Sequence, residues 1–256
     1  MNQFEKQVLP RRTQALLALI TYMSQDFLGG KKFIKLSWAV NLHKGLTFLF
    51  VLVLMLLTRN FSAPAWLYLA LHGGYGIVWL LKDRAFPDRR WELRVTLGGA
   101  LLTFLALGTY WIAPVLLITG WGYAAPRVLS GWQTCLAVIL VLLGIFSMTA
   151  ADAQKAFTLA AKPGLITTGM FSKIRHPNYL GEMSIYAGFA VCAGHWLPWL
   201  VLAGWWLGVF RVYMLQIDAS LSRYPGWAEY QARTGMIFPR LFPPRPRKNP
   251  GSPPPE

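Results

Sequence analysis

Cysteine is nearly missing from this chain: Cys135 and Cys192 are the two present, and both fall inside apolar stretches. They leave no disulfide framework and no zinc cage to hold a fold together. Acidic residues are also scarce, 10 against 25 Lys and Arg, for a formal net charge of +15. In a soluble protein that balance would point to nucleic acid. Here the positive residues lie between and beyond apolar blocks, which excludes that partner and reads as membrane topology. The alternation of a transmembrane barrel strand is absent. So are an internal repeat, a second domain and the glycine fingerprint of a soluble dinucleotide fold.

What is present is long apolar sequence: hydrophobic residues make up 55% of the chain and come in runs such as Leu46 to Leu57, Leu97 to Gly108 and Leu136 to Phe146. These runs sit inside segments that reach the roughly 20 residues a helix needs to cross a bilayer. In hydrocarbon every backbone amide must be paired within its own segment, so the expected class is all-α, a polytopic transmembrane helical bundle. Six membrane segments are expected: Leu36 to Leu57, Pro64 to Leu81, Val95 to Thr119, Trp132 to Ala151, and a C-terminal hairpin of Tyr179 to Gly194 and Leu197 to Tyr213. Around them, residues 1–35 read as an interfacial segment, 36–151 as transmembrane helices, 152–242 as a cofactor-binding region and 243–256 as a disordered tail rich in proline and arginine. The loops bearing Lys82, Arg84, Arg89, Arg90 and Arg94, then Lys155, Lys162, Lys173 and Arg175, fall on one side, and Arg59 and Arg127 on the other. The positive-inside rule then predicts an integral membrane protein with both termini cytoplasmic, in the inner or cell membrane if the source is bacterial.

Chemistry concentrates between Ala150 and Leu241. Asp152, Gln154 and Lys155 stand where the fourth span ends, and suit either a solvated helix end or a binding edge. Pro177 can occupy the first turn of a helix whose free amides attract anions, with Arg175 and His176 beside it. Such a start fits a phosphate or, equally, lipid headgroups. Asn178 and Glu182 lie four residues apart on one helical face, with Tyr179 next to the first and Gly181 allowing close approach. A carboxylate at that depth costs several kcal/mol unless paired, so Glu182 is a functional candidate or half of a structural ion pair. Asp218, Tyr224, Tyr230 and Arg240 belong to an aromatic and charged stretch that can cover a cofactor or lie at headgroup depth. In the N-terminal half Asn41, His43, Lys44, His72 and Tyr75 are polar residues within spans, able to line a cavity or to bond between helices. His72 and Tyr75 are the candidates for giving a proton to a reacting atom.

Over about its last hundred residues the chain resembles the membrane superfamily of steroid 5α-reductases, sterol C=C reductases and isoprenylcysteine carboxyl methyltransferases. The likeness rests on Asp152-x-Gln154-Lys155, on Gly164 to Phe171, on Arg175-His176-Pro177-Asn178-Tyr179-x-Gly181-Glu182, and on Asp218, Arg223-Tyr224-Pro225, Trp227, Tyr230 and Pro239. The resemblance implies NADPH held by this half, with Lys155 and Arg175 near phosphates and Asn178 and Glu182 near the nicotinamide carboxamide. It implies hydride transfer to an activated C=C bond in a lipidic, steroid-like or isoprenoid-like substrate. The methyltransferase branch of the same superfamily implies S-adenosylmethionine instead, and a non-catalytic protein binding membrane lipids through its basic surface is the third reading. The Glu and Tyr pair that 5α-reductases direct at the substrate carbonyl has no counterpart in the N-terminal half.

Overall fold

The computed structural model describes residues 8–242; the tail expected to be disordered lies outside them. The described residues form eight helices and a two-residue β-ribbon. Helix α1 (Arg11–Thr21) runs into a π-helical turn, Tyr22–Asp26. Strand β1 (Ile34–Lys35) leads into α2 (Leu36–Thr58). Helix α3 occupies residues 63–85, with one π turn at Leu69–Gly73. Strand β2 (Arg94–Val95) pairs antiparallel with β1, Ile34 opposite Val95. Then come α4 (Leu97–Thr119), α5 (Gly131–Ala161), α6 (Pro177–Ala193), α7 (Trp196–Leu221, with a π turn at Trp205–Phe210) and α8 (Trp227–Arg233).

Each of the six expected segments is helical, and α2, α4, α5 and α7 are long and apolar enough to cross a membrane. Their outward faces carry bare Leu and Phe, as lipid contact requires, including Leu57, Leu105, Phe146 and Leu207. Two ends differ from the sequence reading. Helix α5 continues past Ala151 to Ala161, and α7 continues past Tyr213 to Leu221 without a break, so Asp218 sits within a long helix. Hydropathy marks where hydrocarbon ends, and a helix whose next residues face headgroups and protein has no reason to stop there. Trp111 is stacked inside the bundle between His43 and Phe50, whereas Trp66, Trp121 and Trp132 are exposed, as an interfacial belt requires.

Helices α5 and α6 form a tight antiparallel pair. A Cβ at Gly181 would stand 2.6 Å from the Met148 amide nitrogen and 2.7 Å from the Gly144 carbonyl oxygen, so only hydrogen side chains permit this backbone approach. The 17 residues of α6 make a rod of about 25 Å, laid along the apolar stretch of α5. The N-terminal helix lies across the start of α4, where Thr96 binds the Gln25 and Phe27 carbonyls, and its Leu17 packs against Val212 and Ala219 of α7. Thus α1 closes one side of the space that α2, α4, α6 and α7 surround.

Candidate functional site

The start of α6 is fixed by a buried lock. The chain at 173–176 runs beside 235–236: Arg175 and His176 donate their amides to the Gly235 and Met236 carbonyls at 2.9 and 3.0 Å. The Arg175 guanidinium meets Asp218 at 3.1 Å and the Thr234 carbonyl at 2.7 Å, and His176 Nε2 meets the other Asp218 oxygen at 3.0 Å. Arg240 donates to the same Thr234 carbonyl, and Tyr230 donates to the Phe171 carbonyl. Burial pushes the Tyr230 phenol up to about 12. The Gln154 side chain brackets the neighbouring loop, donating to the Thr168 carbonyl and accepting from the Met170 amide. Tyr224 lies apart, under the Arg223 guanidinium. Of the residues singled out in the sequence, Gln154, Arg175, His176, Asp218, Tyr224, Tyr230 and Arg240 therefore lie away from the cavity described next.

Beyond that lock, α6 turns Asn178, Tyr179, Glu182 and Tyr186 to one side, where they line a cavity of about 270 Å³. Its polar lining comes from α2, α3, α5, α6 and the loop after α3. Its apolar lining comes from α4, α7 and the N-terminal helix, with Leu107, Trp205, Phe210 and Met23. On the polar side Lys82 meets Asp152 at 2.6 Å, and Asn178 donates to the second Asp152 oxygen at 3.2 Å. Lys155 reaches Asp88 at 2.8 Å and tethers the loop that carries Arg90 and Trp91 into the lining. Burial alone would raise the Asp88 carboxyl, but Lys155 and Arg90 outweigh it and hold the group well below the usual carboxylate range. Glu182 differs from all of these: among the described residues no hydrogen bond or ion pair to its carboxylate is found.

Farther along α6, Lys44 of α2 donates to the Tyr186 hydroxyl at 2.6 Å and to the Tyr75 hydroxyl at 2.9 Å. Tyr75 and His72 stand behind this wall, each about 1% exposed; His72 pairs with the Tyr68 hydroxyl and stacks on Phe189 at 4.0 Å. The residues at the cavity surface are Lys44 and Tyr186. Tyr186 and Lys82 had not been picked out as site residues in the sequence. For Tyr186 a signal existed, since 178, 182 and 186 continue one four-residue spacing along a single face.

The sequence model of a family described as "Protein of unknown function (DUF1295)" matches residues 17–234. An uncharacterized protein of Schizosaccharomyces pombe, C594.04c, is 36% identical over 86 residues, covering 30% of this chain and 24% of that protein. A second from the same yeast, the uncharacterized protein C7D4.09c, is 51% identical over 41 residues, 16% of this chain and 15% of its own length. The chain thus spans a quarter or less of the curated relatives it matches. No solved structure matches it significantly.

Proposed function

We propose that this chain, which belongs to the DUF1295 family, is an integral membrane reductase that uses NADPH to saturate an activated C=C bond in a lipidic substrate. The observation that carries the reading is the Glu182 carboxylate, which lines the cavity without a hydrogen bond or contact ion pair among the described residues, in the field of the Lys44 and Lys82 ammonium groups. A buried charge is costly to leave unmatched, so a ligand with hydrogen-bond donors is its natural complement. The resemblance to steroid 5α-reductases and sterol reductases supports the same choice.

The donor set fits a nicotinamide carboxamide. Glu182 would accept from the carboxamide amine, and Asn178, with one N–H committed to Asp152, would donate its other to the carboxamide oxygen. Arg90, half exposed and lining the cavity, is the cation placed to meet a phosphate. Ligand sites range from about 300 to 1,000 Å³, so this cavity takes the reacting ring and leaves the rest of a dinucleotide to the basic loops outside. When bound, NADPH supplies a hydride to one carbon of the alkene. Tyr186, held by Lys44, gives a proton to the other side of that bond, while the apolar wall of α4 and α7 orients a steroid-like or isoprenoid-like body and keeps water out. The bias of basic loops supports a cavity mouth and termini on the cytoplasmic side, with bilayer lipid covering the exposed leucines.

One feature favours a second reading: the Glu182 carboxylate equally suits the ammonium of S-adenosylmethionine, which would make the protein a methyltransferase. Titrations of the purified full-length chain in detergent separate the two. The expected result is saturable NADPH binding that weakens about 10- to 100-fold in Glu182→Gln, as for a lost hydrogen bond to a charged group. Failure of the wild type to bind NADPH sinks the reductase reading, and saturable S-adenosylmethionine binding in its place establishes the second. A basic surface acting on anionic lipid alone would leave Glu182→Gln without effect.

A further inference from the structure

The apolar wall of the cavity is thin where α4 and α7 meet. Trp205 and Val209 of α7 line the cavity, and both also line a second, more open hollow of about 290 Å³ together with Thr109, Leu200, Val201 and Gly204. Leu200, 59% exposed, puts that hollow on the outer surface of the bundle. The two side chains common to both spaces are thus the partition between them. Trp205 is held by one bond, its Nε1 donating to the Thr109 hydroxyl at 3.0 Å, and its ring stacks on Tyr110 at 5.1 Å. Tyr110 in turn stacks on Tyr186 at 3.9 Å, so three rings stand in file between the hollow and the wall formed by α6. Thr109 gives its own proton to the Ala106 carbonyl, which leaves no side-chain donor for a polar ligand among the described residues that line the hollow. Both helices depart from α geometry at this level, α4 in a 3-10 turn at Thr109–Trp111 and α7 in its π turn at Trp205–Phe210. Interruptions of this kind mark hinges and functional positions in helices. The level is deep: Thr109 lies about 15 Å from the Thr119 end of α4 and Trp205 about 14 Å from the Trp196 end of α7, within roughly 30 Å of hydrocarbon.

We propose that the seam between α4 and α7 is a subsite for a flexible hydrocarbon chain, with Trp205 as its door, so that the lipid handled here is an open-chain one, acyl or polyprenyl. Its reacting end lies in the cavity, and the chain leaves through the space that Trp205 now fills and continues along the hollow into the bilayer. The chemistry at the reacting end rests on the reductase reading, whereas the chain site rests on the two helices. A cavity of about 270 Å³ is too small to hold a nicotinamide ring and a whole lipid together, so the excess length must pass a wall. On the side of α3 and α5 that passage would break the contact between Lys82 and Asp152 and strand buried charges. At the seam it breaks one hydrogen bond between an indole and a hydroxyl. A chain turns about each of its bonds and can follow the gap left by one ring, whereas a fused-ring body would have to drive α4 and α7 apart. Hydrocarbon gains nothing from moving out of lipid into an apolar groove, so shape selects the ligand here.

The subsite can be read without cofactor, by photolabelling the full-length protein in phosphatidylcholine nanodiscs with hexadecanol that carries a diazirine beside its hydroxyl. The label should reach Leu107 and Met148, which line the cavity, and excess plain hexadecanol should suppress it while excess cholesterol does not. Gly204→Phe stands a ring in the hollow, where a Cβ meets no atom within 4 Å. It should cut cavity labelling about tenfold, as for a group forced into occupied space. Butanol with the same diazirine fits the cavity whole and should label both proteins alike, which controls for folding of the plugged variant. Thr109→Val removes the acceptor of the Trp205 N–H with little change in shape, and should speed cavity labelling by the long probe. Label confined to outward residues such as Leu105 and Phe146 would mean surface lipid only and overturns the proposal. Cavity labelling that neither substitution changes, or that cholesterol suppresses as well as hexadecanol does, overturns it too. No arm contains NADPH, so cavity labelling in a protein that fails to bind NADPH keeps the chain site and removes the reductase reading, and NADPH binding without cavity labelling does the reverse.

Discussion

Two buried polar clusters flank the beginning of α6, built from similar residues. At the lock, the charges of Arg175 and Asp218 are met by one another, by His176 and by the Thr234 backbone. At the cavity, Lys82 and Asp152 are paired in the same manner, but Glu182 has no contact partner among the described residues and Lys44 is caged by rings. The charges of the lock are matched within it. The cavity is lined by a carboxylate, Glu182, for which no hydrogen bond or contact ion pair is found among the described residues. Buried charges in a membrane protein mark function by default, and the contrast refines that rule: the useful sign is a charge that faces space without a contact partner.

The largest expected effect tests the lock. Asp218→Asn removes the carboxylate and strands the guanidinium of Arg175 at a site where its side chain is 6% exposed. Breaking a buried pair by removing one partner costs about 3–5 kcal/mol, so the melting temperature in detergent should fall steeply. Glu182→Gln should lower it much less while weakening ligand binding, because Glu182 makes no contact ion pair among the described residues and only its longer-range support of Lys44 and Lys82 is lost. Equal destabilisation by the two substitutions would erase the distinction between the clusters.

A substitution between them sharpens the comparison. Gly181→Ala places a methyl group 2.6 Å from the Met148 nitrogen and 2.7 Å from the Gly144 carbonyl. Those are backbone atoms, so α5 and α6 must part. Overpacking of this kind costs about 1–3 kcal/mol, and the displaced face is the one bearing Asn178, Glu182 and Tyr186. Stability and ligand affinity should therefore fall together, whereas each cluster's own substitution moves mainly one of them. A variant with lowered melting temperature and intact ligand affinity would show that the cavity wall tolerates movement of its helix.

Much of the architecture was open to reading from the chain, because hydrocarbon allows few backbone solutions and long apolar runs then become helices. The spacing of Asn178 and Glu182 was legible for a similar reason, since both lie on one helix. Contacts between distant residues were not. Lys44 and Tyr186 are separated by 142 positions, and no local pattern joins them. Lys82 carries a double meaning: as one of a run of basic residues it reports topology, and its contact with Asp152 is visible only once α3 and α5 are side by side. Arg175 and His176 read as anion donors next to a helix start. Their engagement with Asp218 depends on the unbroken length of α7, which hydropathy cut short at Tyr213.

The smallest effect concerns the loop that Lys155 tethers to the cavity. Asp88 contacts Lys155 at 2.8 Å and Arg90 at 3.4 Å, with the Arg90 side chain 51% exposed. The Arg90 pair is open to solvent on one side and such pairs are worth about 0–1 kcal/mol, while the Lys155 pair is more enclosed, at 28% and 15% exposure. Because the two cations hold the folded-state carboxyl below its ordinary value, the contribution is present in full above about pH 4. It fades as the pH drops from there through the lower folded-state value. Asp88→Asn should accordingly lower the melting temperature slightly at neutral pH and converge with the wild type in acid. A gap that persists or widens on acidification would mean that Asp88 acts through packing, and that the loop bearing Arg90 is held by something other than this charge.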